Sequence, residues 1–83
     1  MEQVLSCQSA PIACGAEQLD GQIVFVDGVL VAVLTQLSGE HYGSHDGHWF
    51  LEAGFGRCDP TGTKLPPFAS LNEAVAWIRS AIA

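Results

Sequence analysis

Two apolar runs dominate the pattern. Residues 22–26 read Gln-Ile-Val-Phe-Val and residues 29–36 read Val-Leu-Val-Ala-Val-Leu-Thr-Gln. Both are rich in β-branched side chains, which fit a pleated surface. Asp27 and Gly28 lie between them. A two-residue hairpin turn needs positive φ at both positions, and Asp-Gly suits it. A hairpin over 22–36 follows, with Val26 opposite Val29, Phe25 opposite Leu30, Val24 opposite Val31 and Ile23 opposite Ala32. One face then carries Val24, Val26, Val29, Val31 and Val33; the other carries Ile23, Phe25, Leu30, Ala32 and Leu34. Both faces are apolar, unlike a hairpin with one side in water.

A third strand is expected over 48–55, the most aromatic run of the chain. Alternation puts Trp49, Leu51, Ala53 and Phe55 on one face and His48, Phe50, Glu52 and Gly54 on the other. Gly54 and Gly56 suggest a bulge or a close backbone approach. Residues 38–47 hold three glycines and two serines and read as a loop. A helix is expected over 70–82. Ser70 and Glu73 have capping-box spacing, and Leu71, Val75, Ile78 and Ile82 form a stripe broadened by Ala74, Trp77 and Ala81. Residues 1–20 carry no clear period, and Pro11 excludes a central strand there. They are expected to be irregular or an edge strand.

The predicted fold is a single α+β domain over residues 1–83. It is a small antiparallel sheet, a three-stranded meander to which an N-terminal strand would add a fourth, packed against one C-terminal helix. A twelve-residue helix spans ~18 Å and an eight-residue strand ~27 Å. One helix therefore covers one face. The first twenty residues or a second copy must cover the other. The run from 48 to 82, with Trp49, Phe50 and Leu51 leading through a loop to Ser70, Leu71, Asn72, Glu73 and Ala74, resembles the strand, loop and helix order of HicB-type antitoxin domains. Where that family has Pro-x-Leu-Pro-Gly-Cys, this chain has Phe55, Gly56, Arg57 and Cys58, so the resemblance implies only the order of elements.

Composition sharpens the second-face problem. Charged residues are 14% of the chain, against about 25% in a typical soluble domain. So little charge points to apolar surface that meets a partner. The net charge is −6, and Arg57, Lys64 and Arg79 are the only Lys or Arg residues. This excludes the cation-rich surface that binds nucleic acid and a polybasic membrane contact. The longest uninterrupted apolar run, residues 29–34, is far short of the roughly 20 residues that span a bilayer. The amino terminus has neither a basic n-region nor a long apolar h-region, so a cytoplasmic location is expected. Cys7, Cys14 and Cys58 are odd in number, which favours free thiols.

Three features carry candidate chemistry. His41, His45 and His48, with Glu40 and Asp46 beside them, offer imidazoles to a divalent metal, although the spacing matches no established zinc motif. The same glycine-rich stretch suits a plain polar turn. Cys58 follows Arg57, whose charge would favour a thiolate, and precedes Asp59, whose charge would oppose it. The alternative for Cys58 is a small buried side chain. Glu52, flanked by apolar residues, would act as an acid or base if buried. No phosphate loop or catalytic triad is present, and no cofactor is expected unless the histidine loop holds a metal. The expected function is a non-enzymatic interaction module that forms a homodimer through an apolar sheet face. The alternative is a metal- or small-ligand-binding domain using His41, His45 and His48.

Overall fold

The computed structural model describes residues 3–83. Four strands, β1 (Leu5–Cys14), β2 (Glu17–Val26), β3 (Val29–Gln36) and β4 (Trp49–Gly54), precede one helix, α1 (Leu71–Ile82). The strands form one antiparallel sheet in the order β1-β2-β3-β4. The predicted α+β architecture is present, with the N-terminal strand as its fourth member. Residues 1–20, expected to be irregular or an edge strand, supply the edge strand β1 and also the start of β2, joined by a tight turn at Gly15 and Ala16. The hairpin begins at Glu17, five residues before its predicted start at 22.

The Asp27-Gly28 turn forms as its residue types require, with φ of 52° and 81°. The register beyond it differs from the simple count. Val26 meets Val29 and Phe25 meets Leu30, but Val24 meets Ala32 and Ile23 meets Val33. Val31 is an extra residue, a β-bulge that puts Val31 and Ala32 on the same side. A second extra residue, Glu52, lies in β4, because Leu34 pairs with Leu51 and Val33 with Ala53. The face assignments are corrected accordingly. Val24, Ala32, Leu34 and Leu51 lie under α1, where they pack with Ala74, Ile78 and Cys58. Val33 and Ala53 move to the opposite face with Ile23, Phe25 and Leu30. Phe55 lies past the end of β4 and is exposed, not beneath the helix.

The helix follows its pattern. Ala74 and Ile78 are fully buried, and the polar side faces water. The Ser70 Oγ accepts from the Glu73 N–H at 3.2 Å. The Glu73 carboxylate reaches back to the N–H of Ala69 at 3.1 Å, one residue before the usual capping-box partner. Beyond β4, Phe68 exchanges backbone hydrogen bonds with Trp49 at 2.7 and 2.8 Å, covering the start of the β4 edge.

Candidate functional site

The face away from α1 has two parts. One is an open apolar stripe. Phe25 and Leu30 are opposite each other, and Ile23, Val33 and Ala53 lie in a row across three strands. None of these five is buried, and Leu30 is 39% exposed. Ser6 and Gln8 of β1 border the stripe opposite Phe25 and Ile23. The bulges at Val31 and Glu52 create it, because they turn Val33 and Ala53 outward.

The other part is roofed. The tip of the β1–β2 hairpin extends past β3, since Glu17, Gln18, Leu19 and Asp20 pair only with β1. That tip folds back over the sheet. Gly21 marks the bend: a Cβ there would collide with the Ile12 Cγ1 and lie 2.8 Å from the Ala10 oxygen. The glycine is what lets Ile12 lie across its own sheet. Leu19 and Thr35 are buried as a result. The loop after β3, whose residues Glu40–His45 form a 3-10 turn, meets the same tip. Tyr42 donates its hydroxyl hydrogen to the Glu17 carboxylate at 3.0 Å. His41 Nε2 lies 3.6 Å from the same oxygen.

Between tip, loop and β4 is a cleft of about 370 Å³ lined by Cys14, Leu19, Leu37, Tyr42, Phe50, Glu52 and Pro67. Its polar groups converge on Glu52, whose Oε2 accepts from the Thr35 hydroxyl at 3.0 Å and from the Cys14 thiol at 3.9 Å. Desolvation pushes the Cys14 thiol up, and the charges of Glu52 and Glu17 push it further. The hydrogen bond to Glu17, chiefly, holds the Tyr42 phenol above its usual range. Both groups therefore stay protonated at neutral pH and act as donors. The cleft presents apolar walls and one carboxylate, Glu52, and its lining among the described residues includes no Lys or Arg.

The sequence-derived candidates are placed differently. His45 and His48 stack edge to face with ring centroids 5.3 Å apart, while His41 turns to Glu17. Among the described residues, no group of three or more His, Cys, Asp or Glu side chains is arranged to hold a metal ion. Cys58 has no exposed surface and belongs to the core. Burial pushes its thiol up. Arg57 does not offset this, because its guanidinium donates to the Ala83 oxygen at 3.0 Å. Spacing does not mark Cys14, Glu17 and Tyr42 as a group, because Cys14 and Glu17 close one tight turn while Tyr42 and Glu52 come from distant segments that the folded-back tip meets. The compositional trace they leave is slight: a thiol and a carboxylate on either side of a tight turn.

No protein-family model, no curated protein and no solved structure matches this chain. Among the described residues, no helix is long and apolar enough to cross a membrane.

Proposed function

We propose that this chain is a non-enzymatic interaction module that pairs with a second copy through the sheet face opposite α1. The observation that carries this is the uncovered row of Ile23, Val33 and Ala53 beside Phe25 and Leu30. A contiguous apolar patch rimmed by polar side chains is the usual mark of an interface. Ser6 and Gln8 supply that rim on one side. The long-range charge opposes pairing, since each copy carries −6, so association strengthens as salt screens the repulsion. The test is native mass spectrometry of wild type and Leu30→Lys at micromolar concentration. Wild type gives a dimer mass or a multiple of it, and the variant loses the face contact while keeping its stability to within about 0.5 kcal/mol. A monomeric wild type rejects the reading.

A second reading is favoured by the cleft at Glu52. Apolar walls with a few converging polar groups are the usual form of a small-ligand site. Its one carboxylate, Glu52, and the rings of Tyr42 and Phe50 suit an amine carried on an apolar body. Titration with phenethylamine shifts the amide resonances of Leu19, Thr35 and Glu52 under this reading, and phenylpropionate does not. Equal response to both, or to neither, removes it.

A further inference from the structure

The two edges of the sheet are unlike. The β4 edge is short and partly covered by Phe68. β1 is ten residues long, contains no charged residue, and is exposed at residues 6–9. Among the described residues nothing pairs with its outer side. Natural edge strands are usually blunted by charge, bulges, proline or short length. Here the only such device is Pro11.

The turn fixes which backbone groups point outward. In a two-residue hairpin the closing pair, here Cys14 with Glu17, is hydrogen-bonded, and bonded pairs then alternate with unbonded ones. Even-numbered residues of β1 therefore bond to β2. The Asp27 N–H bonds the Val4 oxygen at 2.8 Å, which fits the same alternation. The N–H and C=O groups of Leu5, Cys7 and Ser9 face away from the sheet. So does Pro11, which costs the β1–β2 ladder no donor but gives the outer edge none.

From this geometry we infer that β1 pairs antiparallel with β1 of a second copy, about a two-fold axis at Cys7. Leu5 of each copy then exchanges two backbone hydrogen bonds with Ser9 of the other, and the two Cys7 residues exchange two more. This register keeps Pro11 out of the three fully bonded pairs. Centring on Ser9 would set Pro11 against Cys7 and lose a bond on each side, whereas centring on Cys7 leaves Pro11 just beyond the ladder. The occupant is a second copy because the outward backbone groups of Leu5, Cys7 and Ser9 are complementary to themselves under a two-fold axis and β1 itself carries no charged side chain. The charges that act on the approach are the net −6 of each copy and Arg79 near Cys7. Side chains at the seam are small or polar: Cys7 beside Cys7, Ser6 beside Gln8. The proposal shares with the preceding section the reading that the chain self-associates, and adds a separate contact. Edge pairing and face stacking are two separate two-fold contacts, and they close into a tetramer where their axes intersect at right angles.

Amide hydrogen exchange tests the edge directly in the unmodified protein. At millimolar concentration the amides of Leu5, Cys7 and Ser9 slow by about tenfold or more relative to low micromolar protein. The amides of Ser6 and Gln8 are protected at both. Exchange of Leu5, Cys7 and Ser9 at the open rate at both concentrations overturns the proposal. The Leu30→Lys variant separates the two contacts: protection of these three amides survives it, even if the face contact does not. Loss of protection in wild type with a dimer mass retained would reject the edge alone. Oxidation by copper phenanthroline supplies a second readout, since paired Cys7 thiols have Cα atoms ~5.5 Å apart, within disulfide range. The oxidant accepts two electrons and two protons are released. A Cys7 disulfide dimer forms in wild type and about tenfold more slowly in Ser9→Pro, which removes an outward donor and keeps the β1–β2 backbone bonds, losing on that side only the Gln22 side-chain bond to the Ser9 Oγ. Equal rates in the two proteins would mean random collision and would overturn the pairing.

Discussion

The Cys14 thiol lies 3.9 Å from the Glu52 carboxylate, although the two residues belong to the outermost strands of the sheet. Three inter-strand steps in a flat sheet would separate those strands by ~14 Å. The contact exists because the β1–β2 tip bends at Gly21 and lies over the face. The cleft and the burial of Thr35 depend on that bend.

Replacing Gly21 therefore acts on the whole tip. A Cβ meets both a side chain and a carbonyl oxygen, and the backbone contact cannot be relieved by a rotamer change. Gly21→Ala lowers stability by about 1–3 kcal/mol, as overpacking does. Adding Ile12→Ala recovers only part of the loss. Urea unfolding of the three proteins checks this.

Thr35 has no exposed surface, and its hydroxyl donates to Glu52. Thr35→Val keeps the shape and removes the donor, so the cost is about 1 kcal/mol or a little more. The same change removes one of the two bonds that orient Glu52, so the Glu52 side-chain resonances broaden. Thermal unfolding and a carboxylate-detected spectrum measure the two effects separately.

The three thiols differ in access. Cys7 is exposed, Cys14 half-buried and Cys58 buried. Maleimide at neutral pH labels Cys7 first and Cys14 more slowly, and reaches Cys58 only on unfolding. Glu52→Gln speeds Cys14, because the carboxylate charge and hydrogen bond that hold its proton are removed. Peptide mapping of timed samples reads the order.

These shifts have one sign in alkali. Burial raises the Cys58 thiol, so the folded state holds its proton more tightly than the unfolded chain. Its stabilisation is complete below the unfolded thiol value of about 8.5 and falls as pH rises through the folded value. Cys14 and Tyr42 act in the same direction. Asp59 acts at the other end. The Thr61 hydroxyl, then the Thr61 N–H, hold its carboxyl down, so its contribution is lost as pH falls below about 4. Denaturant midpoints across pH show both limbs. Cys58→Ala flattens the alkaline limb at a cost of about 1–2 kcal/mol for the cavity.

The helix and the turn at Asp27 were legible because their signals are local: an apolar stripe behind a serine cap, and two residues that tolerate positive φ. β1 was poorly legible for a physical reason. An edge strand open to water on much of both faces needs no alternation, and its shape comes from pairing with β2. The bulges at Val31 and Glu52 were hidden too. Gly54 hinted at an irregularity, but its cause is that the Cys58 backbone passes where a Cβ would stand. The bulge itself falls two residues earlier. The Glu52 cleft depends on how far the sheet bends, which no short window of sequence encodes.

The two bulges also make chain length more tightly constrained than residue identity in the centre of the sheet. Val31 and Glu52 are each one residue more than the facing strand supplies. Deleting either would return the strand beyond it to plain alternation and exchange inward for outward side chains up to the next turn. Many single substitutions there would leave the fold intact, while a deletion of one codon would not. In this chain, drift at these strands should accumulate as exchanges of one apolar residue for another, with insertions and deletions confined to the connections.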